Sequence, residues 1–516
     1  MTSDEQVMSR SERVVYKWDE IDWRKLERSV FKLQKRIYQA SKSGDWKRMK
    51  RLQKLLLKSK SAKLLAVRRV TQINKGKKTA GVDGVKSLSS TQRLKLANEL
   101  NLSEKSKPVR RIWIPKPGKT EKRPLGIPTM TDRAKQALAK LVLEPEWEAK
   151  FEPNSYGFRP ARSCQDAIRA IHTAINHKNA YVLDADIKGC FDNIDHVALL
   201  EKLRTFPKLR KVIKGWLRAG VMEGNVFQAT RNGTPQGGII SPLLANVALH
   251  GLEYETKEAL LEYLLKYYKE YKGQANKERA KRALHIIRYA DDFVMIHESK
   301  EIILKAKEFV EKWFEHIGLK LSNEKTRITY TLKNKEKEKS GFDFLGFQII
   351  QYPNNKRARK YITIAKPSSG SQKRHKKLIS IIFKQSAAAT QKELIEKLNP
   401  IIRGWCNYFR SGASSKTFGY MNYFMFHKLW KWARWRHPNK GLRWIKSKYF
   451  RGYKRDTWSF ITPDNIRLVR HCEFYIKRHV KIIGTNTPYD GNLNYWAKRL
   501  NDGKAMSINK LAERCI

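Results

Sequence analysis

Three carboxylates in this chain stand where isolated acids are costly. Asp186 closes the run Ala180-Tyr-Val-Leu-Asp-Ala-Asp186, and Asp291 and Asp292 lie inside Ile286-Ile-Arg-Tyr289-Ala290-Asp291-Asp292-Phe293-Val294-Met-Ile296. Apolar residues on both sides of the adjacent pair predict two strands joined by a tight turn that presents both acids at its tip. A lone Asp-Asp in that setting reads as a solvated turn. The plain reading fails once a third acid is packed on a neighbouring strand, because like charges repel strongly unless cations bridge them. Hard divalent cations take carboxylate oxygens. Two Mg²⁺ ions about 3.5–4 Å apart activate an attacking hydroxyl and stabilise a leaving phosphate. The chemistry expected is therefore phosphoryl transfer, with Asp186, Asp291 and Asp292 as metal ligands and Asp186 and Asp291 the chief ones.

The rest of the composition says what the substrate must be. Lys and Arg number 107 against 49 Asp and Glu, a formal net charge of +58 over 516 residues. A polyanion is the expected partner, and nucleic acid fits best, since cations displace counterions condensed on a phosphate backbone. Anionic lipid would call for an amphipathic anchor or a spanning run of roughly 20 apolar residues. Neither is present in the sequence, nor is the apolar stretch of a signal peptide, so the cell interior is the expected location. Cys164, Cys190, Cys406, Cys472 and Cys515 are scattered, without a Cys-x-x-Cys pair, which argues against structural zinc and disulfides.

Elements that could position the acids follow from periodicity. Leu26, Val30, Leu33 and Ile37, then Trp46, Met49, Leu52 and Leu56 after the break at Ser41–Asp45, predict a basic helical hairpin. Between about 80 and 355 short β-type runs such as Tyr181–Ile187 alternate with amphipathic helices such as Ile303–Ile317, stopped at Gly318, which predicts an α+β domain. Lys266–Lys281 reads as a surface insertion outside the core, and Lys333–Lys339 as a solvated turn. Residues 361–516 then carry 32 Lys/Arg and 8 Asp/Glu, and Lys397–Arg455 holds no acid at all. Aromatic residues are interleaved with cations there, as in Lys431-Trp432-Ala433-Arg434-Trp435-Arg436. Rings beside cations suit unstacked bases, so Lys431, Arg434 and Arg436 are candidate RNA contacts.

Tyr289-Ala-Asp-Asp292, together with Asp186 and Phe191, resembles the metal-binding motifs of reverse transcriptases. The resemblance implies a right-hand polymerase with fingers and palm. It also implies that Phe191, five residues after the first acid, lies beneath the incoming sugar and excludes a 2′-hydroxyl. Arg110-Arg-Ile-Trp-Ile-Pro-Lys116-Pro-Gly118 and Lys122-Arg123-Pro124 are similar to the fingers hairpin, which implies Lys116 and Arg123 on the dNTP triphosphate. Asn232-Gly233-Thr-Pro235-Gln236-Gly237-Gly238 resembles the loop in which Gln236 contacts the nucleotide and templating region. Gly318–Thr326 and Phe344-Leu345-Gly346-Phe347 are similar to the last palm motifs, implying Lys325 as proton donor to pyrophosphate and 344–347 as a primer grip.

Thr79-Ala-Gly-Val-Asp83-Gly84, Tyr156-Gly-Phe-Arg159-Pro160 and Arg403-Gly-Trp405-Cys-Asn407-Tyr408-Phe409 narrow the likeness to reverse transcriptase/maturase proteins of group II introns. That implies a basic helical extension over 1–85, fingers and palm over 86–360, an α-helical thumb/maturase region over 361–450 and a DNA-binding region over 451–516. Group II intron RNA, target DNA and an RNA template with DNA primer are the implied partners, in splicing and in reverse transcription during retrohoming. The paired cysteines and His cluster of the endonuclease found in many relatives are not in this sequence. Two other readings stay open: a splicing-only maturase, which the intact acid triad weakens, and a reverse transcriptase recruited to another cellular role such as CRISPR adaptation.

Overall fold

The computed structural model describes residues 17–102, 105–115, 121–176, 178–224, 226–230, 232–234, 237–273, 276–333, 340–354, 361–454, 456–500 and 506–513. The expected basic hairpin is formed by helices Trp23–Lys42 and Trp46–Lys58. Each starts where an aspartate accepts a free backbone N–H: Asp22 from Lys25 and Asp45 from Arg48. Their apolar stripes pack on the long helix Met130–Glu148, buried along nearly its whole length.

Strands β1 (Val109–Pro115) and β2 (Lys122–Ile127) form an antiparallel hairpin. Strand β3 (Tyr181–Asp186) lies elsewhere, in the sheet that matters most. The short strands β4 (Val221–Glu223) and β5 (Val226–Gln228) extend the first sheet in the order β2-β1-β4-β5. Strands β6 (His285–Tyr289), β7 (Asp292–His297) and β8 (Arg327–Tyr330) then join β3 in the order β6-β7-β3-β8.

This central sheet is covered on both faces. Leu183, Phe293 and Met295 face Ile303, Ala306 and Val310 of helix Lys300–Glu315, whereas Val182, Val294 and Ile296 face Ile168 and Ile171 of helix Cys164–Ile175. Burial on both sides explains the unbroken apolar runs around the acids. Helix Lys300–Glu315 ends before Gly318, whose φ of +75° and approach to Asn193 O leave no room for a Cβ.

Strands β9 (Phe342–Phe344), β10 (Phe347–Pro353) and β11 (Tyr361–Pro367) make a third sheet, followed by helices Ser369–Gln385, Gln391–Phe409, Ser415–Arg436 and Leu442–Tyr449 and the hairpin β12 (Phe450–Tyr453) and β13 (Asp456–Phe460). The chain then folds back. Arg499 and His479 engage the buried Asp166 carboxylate at the start of helix Cys164–Ile175, and Asn509 accepts from Arg28 of the first helix at 2.7 Å. Lys266–Lys281 is not the bare surface insertion expected: helices Leu261–Lys272 and Lys277–Ala283 bury Tyr268 and Ala280 in the core. Its lysines obscured a one-sided apolar stripe. Most of Lys333–Lys339 lies outside the described residues. Among the described residues no helix is long and apolar enough to cross a membrane.

Candidate active site and nucleic-acid surface

Register brings the three acids together. Strands β3 and β7 are antiparallel, and Asp186 pairs directly with Asp292, while Tyr289 pairs with Asp292 across the β6–β7 hairpin. That leaves Ala290 and Asp291 as a two-residue turn, with Ala290 at φ +59°, as the sequence led one to expect.

A buried cation supports this turn. Arg288, 3% exposed, donates to Ala290 O (3.1 Å), Asn246 Oδ1 (2.9 Å) and Ser155 Oγ (2.8 Å). Asn246 in turn donates to Gly157 O, and a Cβ on Gly157 would stand 2.3 Å from Ala290 N. The Tyr156-Gly157-Phe158 segment is thus pressed against the back of the aspartate turn, which explains why glycine is required there.

Electrostatics at the front are strained. Burial, then the charges of Asp291 and Asp186, push the Asp292 carboxyl up to about 7. Burial likewise raises Asp291, with Asp186 adding to the effect. Lys325 Nζ sits 2.5 Å from Asp186 Oδ2, and that hydrogen bond raises the lysine further. Asp184, which the sequence reading passed over, shares the strand face of Asp186 two residues on; burial, then Asp343, pushes it up to about 7. Its spacing of two along a strand was the available signal.

Does this donor set suit a metal? Among the described residues no three His, Cys, Asp or Glu side chains already close on one point. The donors are nonetheless all hard oxygens, their mutual repulsion is what a cation relieves, and the ammonium of Lys325 stands in for one at Asp186.

Beside the acids, Phe191 meets Phe158 edge-on at 6.3 Å and lines a cavity of about 210 Å³ with Arg111, Asn232 and Gly233. Gly233, at φ +87°, lies against Asp192 O, where a Cβ would clash. Arg123 is exposed on β2. Lys116 and Gln236 lie outside the described residues.

Two expectations are corrected by burial. The rings of Phe344 and Phe347 are 3% and 0% exposed and so belong to the core, and of the four residues only Leu345 and Gly346, in the turn between them, are partly exposed. Tyr408 Oη donates to Leu345 O at 2.8 Å, and Ser371 Oγ and Ser368 N donate to Gly346 O. Likewise Arg436 is committed within the fold: it donates to Ala387 O and Ala389 O (2.9 and 2.8 Å) and lies over the buried Trp432 ring. Lys431 and Arg434 remain exposed on the same helix.

Comparison with known proteins agrees with this architecture. Residues 18–100 match the N-terminal domain of reverse transcriptase, 114–349 the reverse transcriptase (RNA-dependent DNA polymerase) family, and 372–450 the group II intron maturase-specific domain. The chain is 32% identical to the group II intron-encoded protein LtrA of Lactococcus lactis subsp. cremoris, over 68% of this chain and 69% of that protein. It is 31% identical to protein YkfC of Escherichia coli (strain K12), over 58% and 84% respectively. An uncharacterized 91 kDa protein in the cob intron of Schizosaccharomyces pombe is 28% identical, over 62% of this chain and 45% of its own length. The chain therefore belongs to the group II intron-encoded proteins, RNA-directed DNA polymerases joined to a maturase domain that serves intron splicing.

Proposed function

We propose that Asp186, Asp291 and Asp292 are the ligands of two Mg²⁺ ions, and that the chain uses this centre to copy its parent intron RNA into DNA at a target site, as retrohoming requires. One observation carries the reading: Asp186 and Asp292 face one another across paired strands, with Asp291 in the adjoining turn and a lysine bonded to the first. Bound there, the ions would lower the pKa of the primer 3′-hydroxyl and neutralise charge on the departing pyrophosphate. Lys325, kept protonated by its aspartate, would supply the pyrophosphate with a proton. Lys116 and Arg123 would hold the dNTP triphosphate, Gln236 the nucleotide and templating base, and Phe191 would close the space that a 2′-hydroxyl needs. The Leu345–Gly346 turn would support the primer strand.

In right-hand terms residues 86–360 would be fingers and palm, 361–450 a thumb that also binds intron RNA through Lys431 and Arg434, and 451–516 the region meeting target DNA. Residues 1–85 would add basic surface for RNA. Asp291→Asn tests the centre. Primer extension in Mg²⁺ should fall on the order of a thousand-fold, because the amide is a poor ligand for a cation worth several kcal/mol to the transition state. RNA affinity should stay within two-fold or so of the parent. Near-normal DNA synthesis by the variant would sink the assignment.

A further inference from the structure

Between helix Ser415–Arg436 and the hairpin β12–β13 lies a cavity of about 290 Å³. Five of its thirteen wall residues are aromatic: Phe426 and the exposed Tyr423 from the helix, and Phe450, Trp458 and Phe460 from the hairpin. Asn422 adds an amide to the wall, and among the described residues nothing hydrogen-bonds to it. Asp456 and Arg470, also on the wall, form an ion pair and so neutralise each other.

The telling residue is Gly419, which also lines the cavity. It lies inside a 22-residue helix, its φ is not positive, and a Cβ built on it would meet nothing within 4 Å. Glycine weakens a helix relative to alanine, and here neither backbone geometry nor close packing asks for it. What its missing side chain does is leave the cavity open. Around that opening cations predominate: Lys397–Arg455 contains no acid, Asp456 is paired with Arg470, and Lys446 Nζ lies 4.6 Å from the Trp458 ring centroid.

We infer that this cavity receives one unstacked nucleobase of an RNA strand, stacked against the exposed rings of Tyr423 and Trp458 and read by the Asn422 amide, while the strand's phosphates run along the neighbouring lysines. Rings supply stacking to any base, and an amide offers both a donor and an acceptor to a base edge. A protein segment would instead call for acids on the partner to meet this surface, and makes a separate outcome below. The inference rests on the RNA-binding reading of the acid-free stretch, and half of its site, residues 456–470, lies beyond the residues matched to the maturase domain.

The test uses the full chain, with fluorescence anisotropy on two labelled probes of equal phosphate number: an unstructured oligouridylate and a blunt RNA duplex. Gly419→Leu should plug the cavity while keeping or raising the melting temperature, so loss of binding cannot be put down to misfolding. Oligouridylate affinity should fall at least about five-fold, the lower end of what one stacked base contributes. Duplex affinity should hold within two-fold, and the salt slope should be unchanged because every cation that meets a phosphate is still in place. Asn422→Ala should act in the same direction with a smaller effect, whereas Lys446→Gln should lower the salt slope for both probes. Unchanged oligouridylate binding by Gly419→Leu, or an equal loss on both probes, would overturn the pocket; so would displacement of a bound acidic peptide without any effect on RNA. If the parent chain binds neither RNA, the RNA-binding reading itself falls.

Discussion

Asp184, Asp186 and Asp292 on paired strands and Asp291 in the adjoining β6–β7 turn are crowded together, with one buried guanidinium, Arg288, behind them. Between Lys397 and Arg455 there is no acid, and cations such as Lys431 and Arg434 stand in solvent. The two regions carry charge under opposite physics. In the first, low local dielectric makes each interaction strong and each position decisive. In the second, water and salt screen every pair, and strength comes from the number of phosphates neutralised. Single substitutions should therefore break the first region and only erode the second.

The largest effect in that comparison is expected at Arg288. Arg288→Met removes the donor to Ala290 O and leaves Asn246 and Ser155 short of a partner. Removing one member of a buried charged network costs about 3–5 kcal/mol. The melting temperature should fall, and primer extension should be lost even well below that temperature. A folded variant with normal extension would show that the turn holds its shape without the arginine.

Next in size is Phe191→Ala. If the ring stands under the sugar, ribonucleotide incorporation relative to deoxynucleotide should rise about ten-fold or more, a loss of steric rejection without loss of chemistry. An unchanged preference measured in competition would remove Phe191 from that role.

The cationic surface should respond more gently. Lys431→Gln with Arg434→Gln is expected to weaken affinity for intron RNA about ten-fold and to lower the salt slope by about 0.7–0.9 for each phosphate that is no longer neutralised. Extension on a short pre-annealed template should survive. Arg436→Gln, at the end of the same helix, is the contrasting control. It leaves two loop carbonyls without their donor, at about 1–3 kcal/mol, so melting temperature and both activities should drop together. The opposite assignment of effects between these variants would reverse the distinction drawn between surface and scaffold.

The smallest effect is on pH. Burial holds His375 down at about 4 and, with repulsion from His375, holds His471 at about 3. The unfolded state binds protons on these groups below about 6.5 while the native state does not, so they cost stability as pH falls from there toward 4. Asp292, raised to about 7, has the opposite sign: the native state binds its proton first, and stability is gained over the same acidification. Asp292→Asn should therefore lose more melting temperature between pH 7 and pH 5 than the parent chain does. Superimposable pH profiles would contradict the raised carboxyl.

Much of the site was legible in the chain itself. Adjacent acids between apolar runs specify a hairpin tip, because an unpaired charge is costly inside a buried strand pair and far less so at its end. The 3.6-residue stripes of Val30–Ile37 and Ile303–Val310 specify helices by the same local rule. Period, charge and turn chemistry are properties of neighbours in sequence, and they carried the reading through to the three acids and the helical hairpin.

What only tertiary structure decided are the contacts between distant segments. That Asp186 faces Asp292 depends on the register of β3 against β7, and a slip of one residue would point every side chain the other way. Nothing near Arg288 in sequence says that Asn246 and Ser155 will receive its guanidinium. The aromatic Phe344 and Phe347 and the cationic Arg436 read as surface contacts because their types suit nucleic acid; which face of each element is covered depends on what packs there, and in these cases it was helix Gln391–Phe409 and the 386–389 loop. Sequence period selects a buried face for each element, but the partner that buries it is chosen only when the chain has closed on itself.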